Sequence, residues 1–205
     1  MYICPSTAIW IDDEEFHQVG NFKPYVYKTS NYGQTWQKIT NGIEDTGLNY
    51  TRCVREDPVK KGLLYLGTET KLFVSFNDGQ SWQSLMSNLP HTPMYWLDIP
   101  EHYNDLVIGT YGRGIWILDD ITPLQQLTED LTKVKAYLFA PKPAYRFRPV
   151  TSNMQFFPEP SFGKDPAYGA SLNYWLSEKN DSVKIHITDS AGDTVRTLKH
   201  KGKSG

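Results

Sequence analysis

TSNYGQTW at residues 29–36 and SFNDGQSW at residues 75–82 share one pattern: hydroxyl, x, Asn, x, Gly, Gln, hydroxyl, Trp, repeated 46 positions apart. The pattern has a physical logic. The side chain of Asn31 or Asn77 can accept backbone N–H groups one or two residues on and close a turn. Gly33 and Gly79 supply the positive φ that such a corner requires. Thr35 and Ser81 offer a hydroxyl to the same loop. Trp36 and Trp82 bring a large apolar area to the start of the next strand, where each is expected to wedge between neighbouring sheets. These eight residues read as structural, not catalytic.

Working outward, YLGTETKLFVSFND (65–78) aligns with VIGTYGRGIWILDD (107–120) at a spacing of 42. Gly67 and Thr68 fall on Gly109 and Thr110, and at the same offset Asn77 and Asp78 fall on Asp119 and Asp120. Ile121 then stands where the other copies carry glycine. The central copy contains YTRCVRED, LLYLGTE, KLFVSF and SWQSLM, four short apolar runs separated by Pro, Gly, Asn and Asp. They predict one four-stranded antiparallel sheet. MYWLDIP, DLVIGTY and GIWILDD predict the next, while TAIWID, PYVYKTS and WQKIT predict a first unit without its innermost strand. Repeats of about 40–50 residues with several strands each suit the blades of a β-propeller.

Composition bounds the rest. Lys and Arg total 21 against 23 Asp and Glu, a formal net charge of −2, so no bulk basic field draws nucleic acid or an anionic membrane. No apolar run approaches the roughly 18–20 residues that span a bilayer. The opening MYICPSTAIWIDDEE lacks both a basic and a sustained apolar region, and so does not read as a signal peptide. Two cysteines, Cys4 and Cys53, form no framework and no zinc set; they are reduced core residues or one bridge. Aromatic residues reach 14%, and with 15 Gly and 13 Pro they favour short strands over long helices.

The boxes resemble the Asp-box (BNR) repeats of sialidases, xyloglucanases and sortilin-type receptors. The longer stretches NFKPYVYKTSNYGQTW, REDPVKKGLLYLGTE, LFVSFNDGQSWQSL, NLPHTPMYWLDI and DLVIGTYGRGIWILDDITPLQQL resemble large bacterial sortilin-like propeller proteins that carry a glycosyl hydrolase label. Two departures stand out: Asn31 and Asn77 replace the Asp of that family's boxes, and Tyr111 stands where its members show His before Gly-Arg-Gly. The resemblance implies a secreted, periplasmic or cell-surface protein and a C-terminal segment of a longer chain. It also implies that the remaining blades of a parent propeller are partners, and that any ligand is a glycan or a protein.

The expected organisation is all-β: two to three blades over residues 1–128, connecting strands and a loop over 129–164, and the start of an Ig- or fibronectin-like sandwich over 165–205. Between blades and sandwich, Thr122, Pro123 and Gln125 have the spacing of an N-cap, first helical residue and capping-box partner. Leu124 and Leu127 are placed to dock that turn. VKAYLFAP, AYRFRP and SLNYWLSE read as strands, and in SVKIHITDSAGDTVRTLK the residues Val183, Ile185 and Ile187 share one face.

In the Asp-box family the ligand face lies opposite the box corners. The resemblance places three groups there: the insertion at 12–23; Glu69, Thr70 and Lys71 with Tyr111, Gly112, Arg113 and Gly114; and Glu44, Asp45, Asn49, His91 and Tyr95. A glycosidase would need a carboxylate pair about 5–10 Å apart, for which Asp13 and Glu69 are the candidates among Asp12, Asp13, Glu14, Glu15 and Glu69. Against this, the acidic run reads as a solvated loop and Glu69 as a hairpin-rim charge, since fold alone licenses no reaction. A sialidase would need clustered arginines, whereas Arg113 alone stands on the rim and Arg52 and Arg55 lie in or beside an inner strand. Arg113 is either a hairpin tip between permissive glycines or a guanidinium aimed at a ligand beside Tyr111. The ligand-binding candidates are thus Tyr111, Arg113, Glu69 and Lys71. Asp119 and Asp120 read as degenerate corner residues, not calcium ligands, and His17 and His91 lack companions for zinc. No cofactor is expected, and a non-catalytic binding segment is the leading reading, with a glycoside hydrolase as the alternative.

Overall fold

The computed structural model describes residues 1–3, 23–144, 169–178 and 182–200. Asp13, His17, Cys4, the acidic insertion through residue 22, the TAIWID and AYRFRP runs and most of the 151–169 loop lie outside the described residues. The chain divides into two units, Met1–Gln125 and Gln126–Gly205. The fold is all-β, built of several small antiparallel sheets with almost no helix.

Three sheets make the first unit. The first has the order β1 (Tyr2–Ile3), β2 (Tyr27–Lys28), β3 (Gln37–Lys38). The second is β4 (Thr51–Glu56), β5 (Leu64–Thr68), β6 (Leu72–Ser75), β7 (Gln83–Ser84) in sequence order. The third is β8 (Met94–Asp98), β9 (Leu106–Thr110), β10 (Ile115–Leu118). In the first two sheets the repeat spacing is kept to the residue: Tyr27 pairs Lys38 and Lys28 pairs Gln37, just as Phe73 pairs Ser84 and Val74 pairs Gln83.

The second sheet is buried on both faces, which explains why LLYLGT and LFVS are almost continuously apolar rather than alternating. Leu64, Leu66, Phe73 and Trp82 pack with Val26, Ile39 and Ile43 around the first sheet. Tyr65, Leu72 and Val74 pack the other way, with Met94, Leu97, Leu106 and Ile108 of the third sheet. Gly67 is the point of closest approach: a Cβ there would meet the Met94 carbonyl oxygen at 2.7 Å and the Cys53 Sγ at 2.8 Å. The Cys53 thiol is half-buried and donates to that same carbonyl at 3.4 Å.

The two box corners are built alike. The amide of Asn31 donates to Thr35 Oγ1 at 2.8 Å and its Oδ1 accepts the Thr35 N–H at 2.9 Å. Asn77 does the same with Ser81, at 2.9 and 2.9 Å. The acceptor role therefore reaches four residues on, farther than a simple Asx turn. Thr29 and Ser75 donate to the Asn oxygens at 3.0 Å each and accept the N–H of Gly33 and Gly79. Each corner has two consecutive left-handed residues, Tyr32 and Gly33 (φ 54° and 88°) and Asp78 and Gly79 (φ 62° and 83°).

Three expectations need correction. Trp82 is wedged between sheets, 3% exposed with its indole donating to the Ile39 carbonyl at 2.8 Å, but Trp36 is 39% exposed. The difference lies in the neighbour, because Ile39 and Asn41 of the preceding sheet line the Trp82 site. The third-copy alignment also slips. Gly67 pairs Leu72 whereas Gly109 pairs Ile115, so the loop of the third sheet holds one residue more. Beyond it the true offset is 43, and Ile121 N–H donates to the Asn104 carbonyl as Asp78 N–H donates to that of Gly62. Asp120, not Asp119, therefore stands opposite Asn77, and Ile121 is fully buried. Finally, helix α1 (Thr122–Gln126) starts at Thr122, with Asp120 Oδ1 accepting the Thr122 N–H at 3.3 Å. Gln125 makes no capping box; its amide donates to the buried Asp57 carboxylate at 3.1 and 3.2 Å. Leu124 does dock on the core shared by the second and third sheets.

The second unit contains two antiparallel strand pairs, of which the second is a hairpin. β11 (Ala136–Leu138) pairs β12 (Tyr174–Leu176), and β13 (Val183–Thr188) pairs β14 (Thr194–His200). The β13–β14 turn is closed by Asp189, whose Oδ1 accepts the N–H groups of Ala191 and Asp193 at 2.9 and 3.0 Å. Among the described residues no helix is long and apolar enough to cross a membrane.

Candidate functional site

β4 and β8 are the first strands of consecutive sheets, and each carries the same irregularity. Register slips between Thr51 and Cys53 in β4, and between Met94 and Trp96 in β8. One residue is left over in each: Arg52 and Tyr95, 43 positions apart. Such a bulge re-aims a side chain and is over-represented beside binding sites. Here the two re-aimed side chains meet, with the Arg52 guanidinium carbon 4.5 Å from the Tyr95 ring centroid.

Other residues extend the contact into a row. The Tyr50 ring lies on the guanidinium at 4.4 Å. Tyr111, just past β9, lies against Tyr95 at 5.6 Å between centroids with a 35° tilt. The order is thus Tyr50, Arg52, Tyr95, Tyr111, with a cation held between two rings. Glu69, just past β5, closes the charge: its Oε2 accepts from Arg52 Nε at 2.9 Å and from Nη2 at 2.7 Å. Arg52 Nη2 also donates to the Tyr50 hydroxyl. Burial, followed by the hydrogen bond to Glu69, pushes the Tyr50 phenol up to about 12. Exposure rises along the row, and Tyr95 and Tyr111 are 46% and 71% exposed.

The loops that carry these groups are held by backbone bonds. The Thr68 hydroxyl donates to the Lys71 carbonyl at 2.9 Å and accepts the Lys71 N–H at 3.0 Å, pinning the turn that presents Glu69. In the longer loop the Thr110 hydroxyl donates to the Gly114 carbonyl at 2.6 Å, and Thr92 donates to the Tyr111 carbonyl at 2.9 Å. His91 Nδ1 is 3.2 Å from the Thr70 carbonyl oxygen.

The structure brings Glu69, Tyr95 and Tyr111 together and leaves other candidates elsewhere. Lys71 pairs with Glu44 at 3.7 Å, Asp45 pairs with Lys23 at 3.1 Å, and Asn49 is buried with its amide on the Glu44 carbonyl at 3.1 Å. Arg113 is exposed at the tip of its loop, between Gly112 and Gly114 at φ 78° and 74°. Its carbonyl accepts the Trp116 indole N–H at 3.0 Å. Among the described residues no three His, Cys, Asp or Glu side chains gather as a metal site.

Sequence reasoning placed Arg52 beside an inner strand and gave Tyr50 no role. The available signal was the TRC/MYW alignment at 43, in which Arg52 and Tyr95 coincide. A bulge reverses inside–outside alternation, so the position of Arg52 within an apparent strand gave no sign that its side chain joins Tyr95. No known protein-family model, curated protein or solved structure matches the chain.

Proposed function

We propose that the chain is a non-catalytic, ligand-binding segment of a secreted, sortilin-like Asp-box protein. In this reading the first unit supplies blades of a β-propeller and the second the beginning of an Ig- or fibronectin-like sandwich. One observation carries it: the free face of the third sheet repeats the covered face of the second. Trp96, Val107, Ile115 and Ile117 occupy the positions of Cys53, Tyr65, Leu72 and Val74 by strand register. The latter four lie under the third sheet, whereas Trp96, Ile115 and Ile117 are 60%, 74% and 57% exposed. Contiguous exposed apolar residues mark an interaction surface, and the internal repeat names its occupant: another sheet of the same kind, a further blade.

What favours binding over catalysis is that the Glu69 carboxylate is taken up within the stacked row, accepting from Arg52 Nε and Nη2 at 2.9 and 2.7 Å. The test has two readouts on the full chain. An apolar-surface dye should bind, and the variant Trp96→Ser/Ile117→Ser should bind much less; a chain that binds no dye would remove the missing-blade reading. A panel of chromogenic glycosides should release no chromophore. Release that stops in Glu69→Gln would establish the hydrolase instead.

A further inference from the structure

We infer that the outer end of the Tyr50–Arg52–Tyr95–Tyr111 row is a stacking platform for an uncharged pyranose unit of a glycan, a deepening that rests on the non-catalytic reading above. Three features point to this ligand class. First, the available surface is aromatic and presented by a fixed element: the outer face of Tyr111, which is backed by Tyr95 and carried on a loop bonded through its own backbone to Thr92 and Pro93. The axial C–H bonds of a pyranose carry slight positive charge and lie well against the negative face of such a ring, as a cation does. Second, the local charge is balanced. Arg52 is matched by Glu69 and Lys71 by Glu44, so the row offers an anion no unpaired guanidinium to bind and a cation no unpaired carboxylate. Third, polar edges remain beside the rings. The contacts of Arg52 engage Nε and Nη2 but not Nη1, leaving donors for ring hydroxyls.

Aromatic area with a few placed polar groups is the usual make-up of a small-ligand site. Inverting the polarity shows why the alternatives fit less well. A sialic acid would need an exposed cation held in place, and Arg113 of the Tyr111 loop sits at a tip flanked by two glycines with open space around them.

The experiment is saturation-transfer NMR followed by titration of the full chain with cellohexaose, maltohexaose and sialyllactose. At least one neutral hexamer is expected to bind, with sialyllactose weaker. Tyr111→Ala should raise the dissociation constant by about tenfold, the scale of one aromatic stacking contact. Tyr111→Phe should stay within about twofold of the parent because the ring face is kept. Tyr32→Ala, which removes a still more exposed ring at a box corner, should change nothing. The inference is overturned if neither neutral hexamer binds at millimolar concentration, if Tyr111→Ala binds like the parent, or if sialyllactose is preferred. Release of reducing ends from a hexamer would instead overturn the non-catalytic reading and leave the platform standing.

Discussion

The Asn31 and Asn77 corners share four side-chain hydrogen bonds that agree to within 0.1 Å, and each has two consecutive left-handed residues, yet their tryptophans differ from 39% to 3% exposed. Local sequence therefore builds the corner without help, while burial of its tryptophan depends on the sheet next door. For Trp82 that neighbour is the strand around Ile39 and Asn41: its backbone N–H donates to the Asn41 carbonyl at 2.9 Å, in addition to the indole bond. The corner is a self-contained turn. The tryptophan is a latch that works only against a partner.

Breaking the latch should separate the two corners most. Trp82→Ala removes a fully packed ring and strands the Ile39 carbonyl, and should cost about 3–5 kcal/mol in urea unfolding. Trp36→Ala removes a ring already half in water and should cost about 1 kcal/mol or less. Equal losses at the two sites would mean that Trp82 contributes through its corner, not through the inter-sheet core.

A smaller contrast is expected at the glycines. Both Gly33 and Gly79 have φ near the left-handed region, so alanine strains either by about 1–2 kcal/mol. Only at Gly79 would the new methyl collide, 2.3 Å from Ile39 Cδ1, whereas at Gly33 the nearest atom is 3.7 Å away on Trp36. Gly79→Ala should therefore cost about 1–3 kcal/mol beyond Gly33→Ala, the usual range for overpacking. Thermal denaturation of the two variants checks the difference, and equal midpoints would place the inter-sheet contact farther from the corner.

The sheets were legible for a simple reason: residues such as Leu64, Leu66 and Phe73 lie between turn signals at fixed intervals, and burial on both faces leaves few polar interruptions. Single-residue irregularities were not. The extra residue in the Tyr111 loop shifts everything after it by one, which moved the corner role from Asp119 to Asp120. The bulges at Arg52 and Tyr95 likewise obey no hydrophobic period, because the unpaired residue follows backbone geometry rather than pattern. The candidate site was accordingly half legible. Glu69, Tyr95 and Tyr111 stand at loop and strand-end positions that the repeat identifies, while Arg52, which joins them, sits within an apparent strand and declares nothing by its spacing. Asp13, the carboxylate named as a candidate beside Glu69, lies outside the described residues.

The subtlest difference between the corners is electrostatic. Where the first has Tyr32, fully exposed, the second has Asp78, whose carboxylate accepts the Tyr2 hydroxyl at 2.5 Å and the Lys28 ammonium. Burial alone would raise the Asp78 carboxyl, but the bonds from Lys28 and Tyr2 outweigh it and hold the group below its ordinary 3.8. A carboxyl that is more acidic in the folded than in the unfolded chain stabilises the fold at pH values above its unfolded pKa. That contribution is complete above about pH 5 and fades as pH falls through 3.8 toward the folded value. With Asp78 36% exposed, solvent screening keeps it below about 1 kcal/mol. Asp78→Asn should thus be slightly less stable than the parent near neutrality, with the gap closing in acid because both chains then carry an uncharged group. Tyr32→Phe, at the matching position, should run parallel to the parent throughout. Urea midpoints taken from about pH 6 down to about pH 3 test this; a gap that stays constant across the range would assign the Asp78 effect to its left-handed backbone rather than to its charge.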